Sequence, residues 1–308
     1  MSTQLTPTRL PDRTYRTFFM DSTHWERYEP RPGDIVVCTP AKVGTTWTQR
    51  IVSVLVFQDT ELPQPLMALS PWLECNYVPL DVMTQGLAAQ THRRFMKSHL
   101  PLDALPFYSE VSYLIVGRDL RDAVLSTHNH ALGLQRSAHE YVHRPEGEDV
   151  HTPEEPVITE DLAEYWRQYF TRSPFPWESN GWPYNSPTHH LASWWEYKDE
   201  PNVLFLHYQD MLDDLDKEMR RVSAFLGIPV DEAVWPRLVD ACTFSSMKGG
   251  QDRIFPEQLK SSLSTFEFFH KGTNGRWQDA VPAELLDLYH AAMAPLPQDL
   301  RVWLARSA

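Results

Sequence analysis

Between Thr39 and Trp47 the chain reads Thr-Pro-Ala-Lys-Val-Gly-Thr-Thr-Trp. These residue types at this spacing suit an anion. Gly44 lets the backbone turn closely around a ligand. Thr45 and Thr46 add hydroxyl donors, and Lys42 adds a full positive charge. If a helix starts here, its first N–H groups point outward unpaired, and the helix dipole favours negative charge at the same spot. The chemistry on offer is the binding and activation of a phosphate-like group. The run is not the nucleotide-triphosphatase loop G-x-x-x-x-G-K-[ST], because Lys42 precedes Gly44 by two and no glycine lies four or more residues upstream in the loop.

Such a loop works only if a strand and a helix hold it. The run from Asp34 to Thr39 is short, apolar and rich in β-branched residues, and Trp47 to Phe57 reads as a helix. The pattern recurs downstream. Arg94 to Lys97 reads as a short strand, and Ser112 to Gly117 is the near-continuous apolar run of a parallel strand covered on both faces. A helix is predicted from Leu120 to about Leu132. Asn202 to Tyr208 is another buried strand. The helix after it has Leu212, Leu215, Met219, Val222 and Leu226 on one face, and Gly227 stops it. Pro282 opens a last helix, Ala283 to Met293. The expected fold class is α/β: one domain over 1–308, with a central parallel sheet flanked by helices. The segment 135–190 stands apart. It is predicted to be irregular, rich in aromatics (Tyr165, Trp166, Tyr169, Phe170, Phe175, Trp177, Trp182, Tyr184) and placed on the acceptor side of any site.

Bulk properties narrow the function classes. The 308 residues carry a net charge of −13, which argues against a nucleic-acid binder and requires any anion site to be a local basic cluster. Cys38, Cys75 and Cys242 are far apart, with no C-x-x-C pair, so neither a disulfide framework nor a zinc signature is present, and a cytoplasmic location is expected. No apolar run is long enough to make a transmembrane segment. His128 and His130 form H-x-H, and His189 and His190 are adjacent. On a helix, residues two apart face different sides, and nothing at ligand spacing completes a set, so no metal is expected.

Further blocks sharpen the reading: Lys97-Ser-His-Leu-Pro101, Val116-Gly-Arg-Asp-Leu-Arg-Asp-Ala-Val-Leu-Ser126, Leu206-His-Tyr-Gln-Asp-Met211 and Lys271-Gly-Thr-Asn-Gly-Arg-Trp277. Taken with the loop, they resemble in order the blocks of cytosolic-type sulfotransferases that use 3′-phosphoadenosine 5′-phosphosulfate (PAPS). That family writes the loop P-K-S-G-T-T-W, the second block K-T-H-L-P and the last R-K-G-x-x-G-x-W. Here one extra residue separates Pro40 from Lys42, Val43 replaces Ser, and His270 stands where the family places Arg. Ser70-Pro-Trp-Leu73 and Val116-Gly-Arg-Asp119 are similar to bacterial, actinobacterial-like members proposed to act on lipids or glycolipids.

The resemblance implies a P-loop-kinase-like sulfotransferase fold and a role for each matching residue. Lys42 stabilises the leaving 5′-phosphate, with Gly44, Thr45 and Thr46 holding it. His99 takes the acceptor proton, and Lys97 adds positive charge to the catalytic set. Arg118, Ser126, Lys271 and Gly272 bind the 3′-phosphate, with His270 at the substituted position. Trp47, Tyr208 and Phe244 flank adenine. The donor is PAPS, no metal is needed, and the partner is a small-molecule or lipid-like hydroxyl acceptor. A hydrophobic alcohol or glycolipid ranks first, with phenol behind it. A homodimer stays open. So do two other classes, a nucleotide-dependent kinase on a related fold and a non-catalytic PAPS-binding protein.

Overall fold

The computed structural model describes residues 5–76, 78–137, 156–255 and 268–306. Four strands form one sheet: β1 (Ile35–Cys38), β2 (Phe95–Ser98), β3 (Ser112–Gly117) and β4 (Val203–His207). The order across the sheet is β2-β1-β3-β4, and every pairing is parallel. Ile35 pairs with both Phe95 and Ser112, and Gly117 lies opposite His207. All four residues of β1 are buried, and so are all but Ser112 in β3, the run the sequence predicts to be covered on both faces.

Chain order and sheet order part company at β1. Its first connection runs to one side, to β2, and the next crosses to β3 on the other. Between β1 and β3 the following segments diverge, which leaves a crevice beyond the carboxyl ends of the strands. In open α/β sheets ligands bind at such a switch point. The helix α1 (Thr45–Phe57) follows β1 directly, and the helix Leu120–Ser137 follows β3.

Three elements depart from expectation. The helix predicted from Leu212 to Leu226 is two helices, Tyr208–Asp213 and Leu215–Leu226. Asp214 breaks them because its carboxylate caps the second, accepting from Lys217 N at 3.0 Å. Gly227, at φ 62°, ends it as expected. Pro282 opens a 3₁₀ turn, Ala283–Leu285, before the α-helix Leu286–Met293 begins. Within 135–190, residues 138–155 lie outside the described residues, and the remainder is not uniformly irregular. Leu162–Thr171 is a helix capped by Asp161, whose carboxylate accepts from Ala163 N and Glu164 N. It buries Tyr165, Trp166, Tyr169 and Phe170 on one face, and Trp166 Nε1 donates to Leu285 O at 2.8 Å. Those aromatics are core, and their spacing of one, then three, is a helical one.

Candidate active site

The loop after β1 brings hydroxyls, backbone N–H groups and an ammonium to one side of the crevice. Thr39 and Thr45 share a hydroxyl hydrogen bond of 2.6 Å across its base. Lys42 (φ 62°) and Gly44 (φ 118°) both take left-handed backbone conformations. For a lysine that conformation is strained and has to be imposed by its surroundings. Gly44 is the N-cap of α1 and supplies no side-chain cap, so the first-turn N–H groups face the crevice. A Cβ at Gly44 would lie 3.0 Å from the Tyr208 ring. The Lys42 ammonium lies 3.4 Å from His130 Nδ1 and 4.7 Å from the centre of the Phe268 ring. Burial, with Lys97 and Arg118 nearby, lowers its pKa to about 7.

The end of β2 supplies the second group. His99 Nδ1 lies 2.7 Å from Thr39 O. A carbonyl only accepts, so Nδ1 carries the proton and Nε2 of the neutral ring carries the lone pair. Burial, then Lys97, lowers the His99 pKa to about 3, so the ring is neutral at ordinary pH. Its backbone is also held: His99 N donates to Glu74 Oε1 at 2.7 Å, and Asn185 Nδ2 donates to His99 O at 2.8 Å. Glu74 is fully buried and also accepts from Ser98 Oγ and Trp25 Nε1. Trp72 meets the imidazole edge-on at 4.9 Å, and the Lys97 ammonium sits 4.1 Å over the Trp72 ring.

The third wall comes from β3 and the C-terminal part of the chain. Arg118 is buried, with its guanidinium 4.2 Å over the Tyr208 ring. It donates to Asn274 Oδ1 (2.7 Å), Thr273 O (2.9 Å) and Lys42 O (3.3 Å), tying the 273–274 turn to the loop after β1. Asp122, in the first turn of the following helix, accepts from Gly275 N and Arg276 N. Trp47 Nε1 donates to Cys242 O at 2.7 Å, and its ring meets Tyr208 edge-on. Gly272 (φ 66°) lies against Phe244, so closely that a Cβ there would sit 2.3 Å from the ring.

Every site residue named from the sequence lines this one cavity: Lys42, Gly44, Thr45, Thr46, Trp47, Lys97, His99, Arg118, Ser126, Tyr208, Phe244, His270, Lys271 and Gly272. Arg276, His130 and Asn185 line it too, as do Phe19, Trp72, Tyr184 and Phe268. Of these, Phe19, His130, Asn185 and Phe268 went unremarked as site residues in the sequence. His130 carried a signal, as half of the H-x-H pair. Among the described lining residues, Lys42, Lys97, Arg118, Lys271 and Arg276 are cationic and none is Asp or Glu. A chain with a net charge of −13 has thus segregated positive charge into its main crevice. The described residues hold no group of three or more His, Cys, Asp or Glu able to take a metal ion. No helix among them is long and apolar enough to cross a membrane.

Comparison with known proteins agrees with this geometry. A glycolipid sulfotransferase of Mycobacterium bovis BCG is 33% identical over 303 residues, covering 94% of this chain and 93% of the relative. Retinol dehydratase in complex with androsterone and the inactive cofactor PAP superposes with a TM-score of 0.65 at 21% identity, over 89% of this chain and 82% of that one. Mouse sulfotransferase SULT7A1 complexed with PAP superposes with a TM-score of 0.64 at 18% identity, over 91% of each. These two show the shared fold, a parallel sheet with flanking helices. The sulfotransferase domain model matches residues 32–301, and the chain belongs to the sulfotransferase family.

Proposed function

We propose that the chain transfers the sulfuryl group of PAPS to a hydroxyl of a hydrophobic acceptor. The observation that carries this reading is the crevice itself: five cations and no carboxylate among its described lining residues, and a neutral His99 whose Nε2 is left as an acceptor. The donor set fits a nucleotide with two separate anionic ends. The first-turn N–H groups of α1, with Thr45, Thr46 and Lys42, suit the 5′ end. Arg118, Ser126, Lys271 and the Gly272 backbone suit the 3′-phosphate, with His270 in the same wall. Trp47, Tyr208 and Phe244 offer flat surfaces for adenine. Bound PAPS supplies a sulfuryl group on a phosphate leaving group. His99 Nε2 accepts the proton of the acceptor hydroxyl. Lys42 holds positive charge where the 5′-phosphate gains negative charge, and Lys97 adds to that field. Such transfer asks a protein for position and charge, and little covalent chemistry.

Beside His99 the lining is aromatic: Trp72 meets the imidazole, and Phe19 packs against both Trp72 and Tyr184. This favours a hydrophobic alcohol or glycolipid, in keeping with the name of the mycobacterial relative, with phenols behind. A cytoplasmic location is supported by three buried free cysteines. A kinase reading loses ground, because the described lining offers no carboxylate for a magnesium ion. Calorimetric titration with 3′-phosphoadenosine 5′-phosphate (PAP), in a metal chelator and with ATP as control, tests the donor site. PAP binding no tighter than ATP refutes it. A sulfation assay on His99→Ala then separates enzyme from binder: retained PAP affinity with lost turnover is expected, and normal turnover removes His99 as the base.

A further inference from the structure

The H-x-H pair on the Leu120–Ser137 helix divides its work. His128 faces the core, with Nε2 2.8 Å from Thr159 O and its ring stacked on Tyr165 at 4.5 Å. His130 faces the crevice and meets Lys42. An ammonium has three donors and no acceptor, so the contact has one polarity: Lys42 donates, and His130 Nδ1 accepts. His130 is therefore neutral, with its proton on Nε2, the opposite tautomer to His99. A second positive charge 3.4 Å from Lys42 would be repelled, and burial with Lys42 beside it pushes the His130 pKa well down.

We propose that His130 is a positioning residue for Lys42: its imidazole holds the ammonium in place over the loop and keeps it charged in a crowd of other cations. The lysine is then fixed at both ends. Arg118 Nη1 bonds its backbone carbonyl at the left-handed turn, and His130 takes its tip, with the Phe268 ring on another side. The charged neighbours facing the ammonium are Lys97 from β2 and Arg118 from the end of β3, both disfavouring added positive charge; the neutral His99 ring follows β2, and His270 and Lys271 line the same cavity from the C-terminal stretch. Against that field a neutral acceptor on Lys42 favours the ammonium form. The inference rests on the proposed function for the use made of Lys42, but not for the contact itself.

The test compares wild type with His130→Leu, which removes the acceptor, and His130→Gln, which supplies another. Side-chain NMR titration of the lysine ammonium groups, assigned with Lys42→Met, reads the contact without turnover. In His130→Leu the Lys42 pKa falls by about one unit, the size of one hydrogen bond to a charged group, and His130→Gln recovers most of it. In sulfation assays with PAPS, kcat of His130→Leu falls more than the acceptor KM changes, and its basic limb moves to lower pH. An unmoved Lys42 pKa in His130→Leu overturns the proposal. So does His130→Gln failing like His130→Leu, since ring packing would then be the operative property. Loss of PAP binding in wild type would instead overturn the donor-site reading and leave the NMR result standing.

Discussion

Gly272→Ala tests the nucleotide wall through geometry alone. The substitution acts in two ways. At φ 66° any side chain is strained, by roughly 1–2 kcal/mol. The new Cβ would also lie 2.3 Å from Phe244 Cδ2, 2.4 Å from Cε2 and 2.8 Å from Cγ. Carbon contacts settle near 3.5 Å, so the ring or the turn must withdraw by about 1.2 Å. If Phe244 is an adenine surface, losing its stacking weakens PAP by about 1–3 kcal/mol, or roughly 5- to 150-fold. Gly275→Ala is the matched control. It has φ 80° with nothing within 4 Å of the added Cβ, so it carries the backbone strain without the collision. Calorimetry of both variants with PAP and with AMP, alongside thermal melts, gives the comparison. Gly272→Ala should weaken both nucleotides, since both carry adenine, while Gly275→Ala should melt earlier and bind nearly normally. Equal loss of affinity in the two variants, or wild-type affinity in Gly272→Ala, would refute the assignment of Phe244.

Other predictions concern Arg118 on the same wall and the groups on the loop after β1 and at the end of β2. Arg118→Lys forfeits the guanidinium fork proposed for the 3′-phosphate and the three hydrogen bonds that tie the 273–274 turn to the loop after β1, so PAP should weaken by about 2–3 kcal/mol and AMP, which has no 3′-phosphate, by less. The pH profile of kcat/KM should show its limbs in unusual places. His99 must be neutral to accept a proton, and its depressed pKa keeps it so down to about 3; Lys42 must be charged, and its depressed pKa loses that charge as pH rises through about 7. An acid limb near the 6.5 of a solvated imidazole would contradict the burial of His99. Glu74→Ala leaves three donors, Trp25 Nε1, Ser98 Oγ and His99 N, without their buried acceptor. A stability loss of about 3–5 kcal/mol in urea unfolding is expected, with turnover falling because the end of β2 loosens.

What the sequence showed and what it hid divide along physical lines. The strand, turn and helix around Gly44 were legible because they are contiguous in the sequence. The parallel sheet was legible because β1 and β3 are apolar on both faces. The Leu162–Thr171 helix was obscured because its aromatics cluster so densely that their spacing read as content. Asp214 hid a helix break inside a continuous apolar pattern, since capping depends on backbone geometry that periodicity does not carry. His130 was visible as half of a pair, and the rule that residues two apart on a helix diverge held. Its partner Lys42 is remote in sequence, so only the sheet order brings them together.

The tie between Arg118 and the 273–274 turn reaches beyond catalysis. The anion loop lies near one end of the chain and the Gly272 wall near the other, and they meet only across the crevice. A nascent chain that has released the first wall cannot finish the cavity until the second has been synthesised and docked. A nucleotide gripping both walls then behaves as a non-covalent staple, and its binding free energy is also the free energy holding the late segment down. Hydrogen exchange and proteolytic nicking around residues 268–277 would thus report on how fully the donor site is loaded.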